Sequence, residues 1–152
     1  MTVEDATIGP ARPEDAAAMG KVLSDWIDTT PWMPRLHSVE EDRRFCAGLI
    51  ATQQVLVARG PGVEGFLSCD GLCVTCLYLA QGARGRGLGA RLMDAAKAGR
   101  DRLVVWTFAA NPGAIRFYQR EGFRIIATTE GDGNEEGMPD VQLEWQRERD
   151  DG

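Results

Sequence analysis

The chain switches between two hydrophobic periods, and the order of the switches predicts its architecture. Residues 6–11 read as a first strand. Arg12-Pro13-Glu14-Asp15 then opens a helix, with proline near its first position and acids in its first turn, and Ala16, Met19, Leu23, Trp26 and Ile27 recur at helical spacing behind it. Pro31 and Pro34, with Trp32 and Met33 between them, make residues 29–37 a stiff apolar loop that must pack on something or line a site. Ser38-Val39-Glu40-Glu41 matches a capping box, and Phe45, Cys46, Leu49 and Ile50 supply the apolar face of a second helix ending near Ala51. Strands over 54–59 and 63–69 follow, joined by Gly60-Pro61-Gly62, and an Asp70-Gly71 hairpin turn leads into a third over 72–80.

Beyond residue 80 the order becomes strand, helix, strand. Leu88, Leu92, Ala95, Ala96 and Gly99 form a helical stripe, and residues 103–109 are a short, nearly continuous apolar run. Asn111-Pro112 caps a further helix carrying Ala114, Phe117 and Tyr118, and Gly122 stands at its end as a left-handed cap. Strands over 123–129 and 141–145 enclose a polar, glycine-rich loop at 130–140, and the charged residues 146–152 read as a frayed tail. The fold class is therefore α/β (α+β): a mixed sheet of antiparallel N-terminal strands followed by a βαβ unit, flanked by about four helices.

Composition narrows the function. A chain of 152 residues, 43% hydrophobic and 26% charged, fits one domain spanning 1–152 with an ordinary core. No apolar run reaches the roughly 18 residues that cross a bilayer, and Met1-Thr2-Val3-Glu4-Asp5 is acidic where a signal peptide is basic, so a cytoplasmic location is expected. The net charge of −6 disfavours nucleic acid and anionic membranes as partners and suits a basic, amine-bearing one. Cys73 and Cys76 spell CxxC, but both fall in one strand, where residues three apart point to opposite faces. With Cys46 and Cys69 they read as small buried hydrophobes, and no metal site is expected.

The chemistry is concentrated in Arg84-Gly85-Arg86-Gly87-Leu88-Gly89-Ala90, a glycine-rich turn between a strand and a helix. Glycines remove the Cβ atoms that hold a phosphate off the backbone, and the first amides of a helix point outward unpaired. Arg84, Arg86 and Arg91 add positive charge to an otherwise acidic protein. A dinucleotide fold would also satisfy Gly85-x-Gly87-x-x-Ala90, but it needs the motif in the first βαβ unit and an acid at the end of the next strand. Here roughly half the chain precedes the motif, and the next strand ends Phe108-Ala109-Ala110-Asn111. No Gly-Lys-Ser/Thr follows, which excludes a phosphate-loop nucleotidase.

Two motifs resemble those of the GCN5-related N-acetyltransferase (GNAT) superfamily. Arg84, Gly87 and Gly89 match its Arg/Gln-x-x-Gly-x-Gly/Ala, and Asn111, Ala114, Phe117, Tyr118, Gly122 and Phe123 match its Asn-x-x-Ala-x-x-Phe-Tyr-x-x-x-Gly-Phe. The resemblance covers essentially the whole chain and implies an acetyl-CoA-dependent enzyme in which two parallel strands splay apart. The pantetheine arm would then pair with backbone at Leu77, Tyr78 and Leu79, and the pyrophosphate would lie on Arg84, Gly85, Arg86, Gly87, Leu88, Gly89 and Ala90. Asn111, Ala114 and Phe117 would line the arm, with Tyr118 near the thioester sulfur as general acid. The implied acceptor is a small-molecule or peptidyl amine, and relatives of this kind occur as monomers and homodimers.

The resemblance is incomplete at one position. Many relatives carry a basic carboxylate on the strand before the glycine loop, whereas residues 72–80 contain no acid. Candidates for that role are His37 with Glu40, Glu41 and Asp42, and Glu135, Glu136 and Asp140 in the late loop. Trp32, His37, Glu135, Glu136 and Asp140 form the expected acceptor region, in combinations resembling a bacterial subgroup. The missing strand carboxylate also motivates a reading from another class, a CoA-binding sensor or interaction module without turnover.

Overall fold

The computed structural model describes residues 2–148. The strands are β1 (Thr7–Pro10), β2 (Gln54–Arg59), β3 (Val63–Asp70), β4 (Cys73–Leu79), β5 (Arg102–Phe108), β6 (Arg124–Thr129) and β7 (Asp140–Gln146). They form a seven-stranded sheet in the order β1-β2-β3-β4-β5-β7-β6. Only the central pair, β4 with β5, is parallel. Four α-helices cover the sheet: α1 (Ala16–Asp28), α2 (Val39–Thr52), α3 (Leu88–Lys97) and α4 (Pro112–Arg120).

Helices α1 and α2 bury Met19, Leu23, Cys46 and Leu49 on one face of the sheet against Val57 and Phe66. On the other face Leu88, Leu92 and Met93 of α3 and Tyr118 of α4 pack on Leu67, Leu103 and Leu143. Each of the expected helices and strands is present, the helices because each carries an apolar stripe with a clear stop signal. The Ser38 hydroxyl accepts the Glu41 amide while Glu41 accepts the Ser38 amide, the reciprocal pattern that fixes the start of α2.

Several local expectations need correction. The first helix starts as a 3-10 turn at Pro13–Asp15, with Asp15 held by the Arg59 guanidinium, which together with the Arg12 amide lowers its carboxyl to about 2. The hairpin loop is Gly71-Leu72, one residue later than expected: Asp70 still pairs with Cys73, and Gly71 takes the left-handed position at φ +60°. Helix α3 stops at Lys97, and Gly99, at φ +78°, belongs to the turn beyond it rather than to the stripe. The tail is tied at its start: Gln146 ends β7, and Arg147 hydrogen-bonds the carbonyls of Asp101, Arg100 and Lys97. Residues 149–152 of that tail lie outside the described part.

The strand alternation expected for Cys73 and Cys76 also fails. Ser68 pairs with Cys76 and Cys69 with Val74, so Thr75 is an extra residue in β4, a bulge. The bulge puts Val74 in the core beneath α3 and Cys76 in the core beneath α1 and α2. Simple alternation therefore no longer separates the two thiols. All four cysteines are free, and burial pushes Cys76 up to about 11 and Cys46 to about 12.

Candidate active site

The bulge is the origin of the site. Strand β4 stays paired with β3 as far as Leu79, and β5 stays paired with β7 as far as Phe108, but β4 and β5 touch only at Cys73–Val104 and Val74–Val105. Past Thr75 the two parallel strands diverge, each held by its other neighbour. The gap is a cleft of about 100 Å³ lined by Leu77, Tyr78, Thr107, Phe108, Ala114 and Tyr118. Backbone groups of β4 that face this gap have no strand to meet and must find partners elsewhere.

At one end of β4 lies the glycine loop. Gly85 and Gly87 sit at φ +74° and +80°, and a Cβ at either would point into open space. Gly87 caps α3 without any side-chain hydrogen bond. The amides of residues 85–90 have no backbone or side-chain acceptor among the described residues, whereas the next amide, that of Arg91, bonds the Gly87 carbonyl. Consecutive unpaired amides at a helix start suit a phosphate, and no side chain blocks the approach. Gly89 serves the packing instead. A Cβ there would lie 3.2 Å from the Phe117 ring, so its absence lets α4 sit against α3.

The three arginines are not equivalent. Arg86 is ion-paired with Glu4, and Arg91 donates to the Ala6 carbonyl at 2.6 Å, so both hold the N-terminal segment against α3. Arg84 is exposed and forms no ion pair among the described residues, which leaves it the freest to meet an anion. Asn111 caps α4, accepting the Ala114 amide at 3.1 Å through Oδ1, and its side-chain nitrogen has no acceptor among the described residues. Tyr118 is buried among Phe117 and Phe123, and burial raises its phenol well above the ordinary range, so it stays protonated at neutral pH.

A second cavity, of about 610 Å³, opens on the α1 and α2 side of β4. Its apolar wall includes Trp26, Leu36, Phe45 and Tyr78, and its rim carries His37, Glu41, Glu135 and Glu136. Trp26, Thr75, Cys76 and Tyr78 line both spaces, so cleft and cavity meet at the bulge. His37 bridges the rim, with Nδ1 3.1 Å from Glu41 and Nε2 2.7 Å from Glu135. The Glu41 carboxylate, then Glu135, raises its pKa, so it favours the imidazolium and suits a contact better than a base.

Of the expected acceptor residues, His37, Glu135 and Glu136 come together here. Trp32 does not line the cavity; it packs edge-on to Trp26 and Phe108 beside the cleft. Asp140 is used within its own loop, accepting from the Thr129 hydroxyl and from Asn134. Asp42 is buried and held by Ser24 and Arg35, and Glu40 pairs with Arg43 on the surface. Sequence reasoning missed Trp26 and Phe45 as cavity wall, whereas Met33, Pro34 and Leu36 of the stiff apolar loop do line it. Helical spacing puts Phe45 on the α2 core face, yet it is 51% exposed; its place next to buried Cys46, at the margin of the apolar stripe, is the available signal.

A splayed parallel pair with an amide cradle at its mouth is the arrangement that the GNAT resemblance implies. Residues 43–125 match the family model of the acetyltransferase (GNAT) domain. Blasticidin-S acetyltransferase of Streptomyces morookaense is 30% identical over 120 residues, 63% of this chain and 85% of that one. Among solved structures, apo YjaB from Escherichia coli superposes with a TM-score of 0.77 at 20% identity, covering 94% of this chain and 99% of the other. The yncA protein of Salmonella typhimurium, solved with its cofactor acetyl-CoA, gives 0.71 at 22% identity over 97% of each chain. The chain belongs to the GNAT acetyltransferase family and is an N-acetyltransferase that uses acetyl-CoA. Among the described residues, no helix is long and apolar enough to cross a membrane.

Proposed function

We propose that this chain moves an acetyl group from acetyl-CoA directly to a primary amine of a small molecule or peptide, with Tyr118 as general acid. The observation that carries the reading is the position of Tyr118: a buried, protonated phenol on the wall of the β4–β5 gap, a wall that also includes Thr75, Cys76 and Tyr78, the residues shared with the second cavity. Residues 84–90 would hold the pyrophosphate, and the backbone of Leu77, Tyr78 and Leu79 with Asn111, Ala114 and Phe117 would hold the pantetheine arm. Bound acetyl-CoA would supply the thioester, whose C–S bond breaks as the C–N bond to the neutral amine forms; the proton that the nitrogen sheds goes to solvent in the open cavity. Tyr118 holds a proton where the thiolate departs; because a thiol near 8.5 is a stronger acid than a phenol, Tyr118 acts first as a hydrogen-bond donor to the developing charge, and the proton passes only as the same dry site raises the basicity of the thiolate. The cavity orients the amine against β4, which replaces a bimolecular encounter by a fixed geometry. The four free thiols support a reducing, cytoplasmic setting.

The test is Tyr118→Phe. Loss of a general acid lowers kcat by about 10²–10⁴-fold, while calorimetric affinity for acetyl-CoA stays within about twofold because the ring packing is kept. Release of free thiol at the wild-type rate would remove Tyr118 from the chemistry. The acceptor panel should include blasticidin S, amino acids, polyamines and short peptides.

A further inference from the structure

The loop between β6 and β7 is built to hold a shape. Gly131 is at φ +95°, and a Cβ there would lie 2.4 Å from the Met138 carbonyl, so the two ends of the loop are packed backbone to backbone. The Asn134 side chain takes both backbone groups of Met138, donating to its carbonyl at 2.7 Å and accepting its amide at 3.2 Å. The Ala109 amide donates to the Pro139 carbonyl at 3.0 Å, anchoring the loop to the turn after β5. Finally the Glu135 carboxylate is pinned by His37 from the opposite rim.

This shape leaves one acid free. Around the cavity, Glu41 is engaged by His37 and the Ser38 amide, Asp42 by Ser24 and Arg35, and Glu135 by His37. Arg44 also lines the cavity. Glu136 lines it without any hydrogen bond or ion pair among the described residues, half-buried, and its charge is felt at Tyr78, the residue shared by both spaces. An ammonium entering an apolar-walled cavity must be paired or lose its hydration uncompensated, and an unengaged carboxylate supplies the pair.

We infer that Glu136 is the carboxylate that recognises the acceptor's ammonium, and that the His37–Glu135 contact is the positioning device that sets the loop carrying it. The acceptor is accordingly a compact amphipathic amine, with its ammonium on Glu136 and its apolar body on Trp26, Leu36 and Phe45. The inference rests on the amine-acceptor reading above.

A binding test separates the two. Tryptamine and tryptophol differ by an ammonium in place of a hydroxyl, and both are titrated calorimetrically into the CoA-saturated protein. The wild type should prefer tryptamine by about tenfold or more, the worth of a charge-assisted hydrogen bond. Glu136→Gln should abolish that preference while Glu41→Gln keeps it, and His37→Gln should weaken it with CoA affinity and Tm unchanged. Equal binding of the two probes to the wild type, no binding of either, or a preference that survives Glu136→Gln overturns the inference. If the preference is present and Glu136-dependent but no amine in the panel yields free thiol, the amine-acceptor reading fails and ammonium recognition stands.

Discussion

The β4–β5 cleft and the second cavity share Trp26, Thr75, Cys76 and Tyr78, yet they are made of different parts. The cleft is backbone: unpaired amides at residues 85–90, the open edge of β4, and glycines whose missing side chains make room. The cavity is side chain: Trp26, Leu36 and Phe45 on helices and a proline-rich loop, and Glu135 with Glu136 on the β6–β7 loop. On the proposed reading, backbone groups would carry the constant half of the substrate, and side chains, several of them on loops, the variable half. The two halves should therefore fail independently.

The strongest separation should come from Gly131→Ala. Its left-handed φ of +95° and the 2.4 Å approach of Met138 leave no room for a methyl group, so strain and overpacking together cost roughly 2–4 kcal/mol. The expected outcome is a lowered Tm and an acceptor KM raised more than about tenfold, with the Kd of acetyl-CoA unchanged, because Gly131 does not line the cleft. A parallel loss of acetyl-CoA affinity would show that the halves are mechanically one.

The reciprocal change is Gly87→Ala. No atom lies within 4 Å of the new Cβ, so the only penalty is φ +80°, about 1–2 kcal/mol for an L residue in that region. Relief by twisting the cradle would weaken acetyl-CoA by about tenfold, read by calorimetry, while acceptor KM at saturating acetyl-CoA stays put. A change in acceptor KM as large as that in acetyl-CoA affinity would break the comparison from the other side.

The same division explains what was legible in the sequence. The cleft depends on residue types that have one physical meaning: Gly87 where φ must be positive, Asn111 where a helix needs a cap, Tyr118 at a fixed spacing behind it. The sheet order follows from periodicity for the same reason. The Thr75 bulge has no such marker, since threonine suits a regular strand equally well, and without the bulge Cys73 and Cys76 read as lying on opposite faces. The cavity depends on meetings across the chain. Nothing local ties His37 to Glu135, and Asp140 carries the same charge as Glu136 although one staples the loop and the other faces the cavity.

The smallest effect should be pH. The carboxylates of Glu41 on α2 and Glu135 on the loop face His37; Arg44 and Glu136 lie on the same cavity, and Arg35 donates to the His37 carbonyl. Glu41 first and then Glu135 raise His37 above its ordinary 6.5, so the charged contact is complete below that value and is lost as pH rises through the raised one. The Glu41 carboxyl is lowered below 4.5, chiefly by its hydrogen bond from the Ser38 amide and then by His37, so its share is lost only as pH falls through that lowered value. Acceptor KM should therefore climb as pH rises through the raised His37 value, by only about twofold to fivefold because an exposed pair contributes little. Acetyl-CoA affinity should stay flat over the same range, and a lysine-like acceptor keeps its own charge until about pH 10, well above it. His37→Gln, with no charge to lose, should give a flat acceptor KM; superimposable wild-type and variant profiles would show that the contact does not hold the loop.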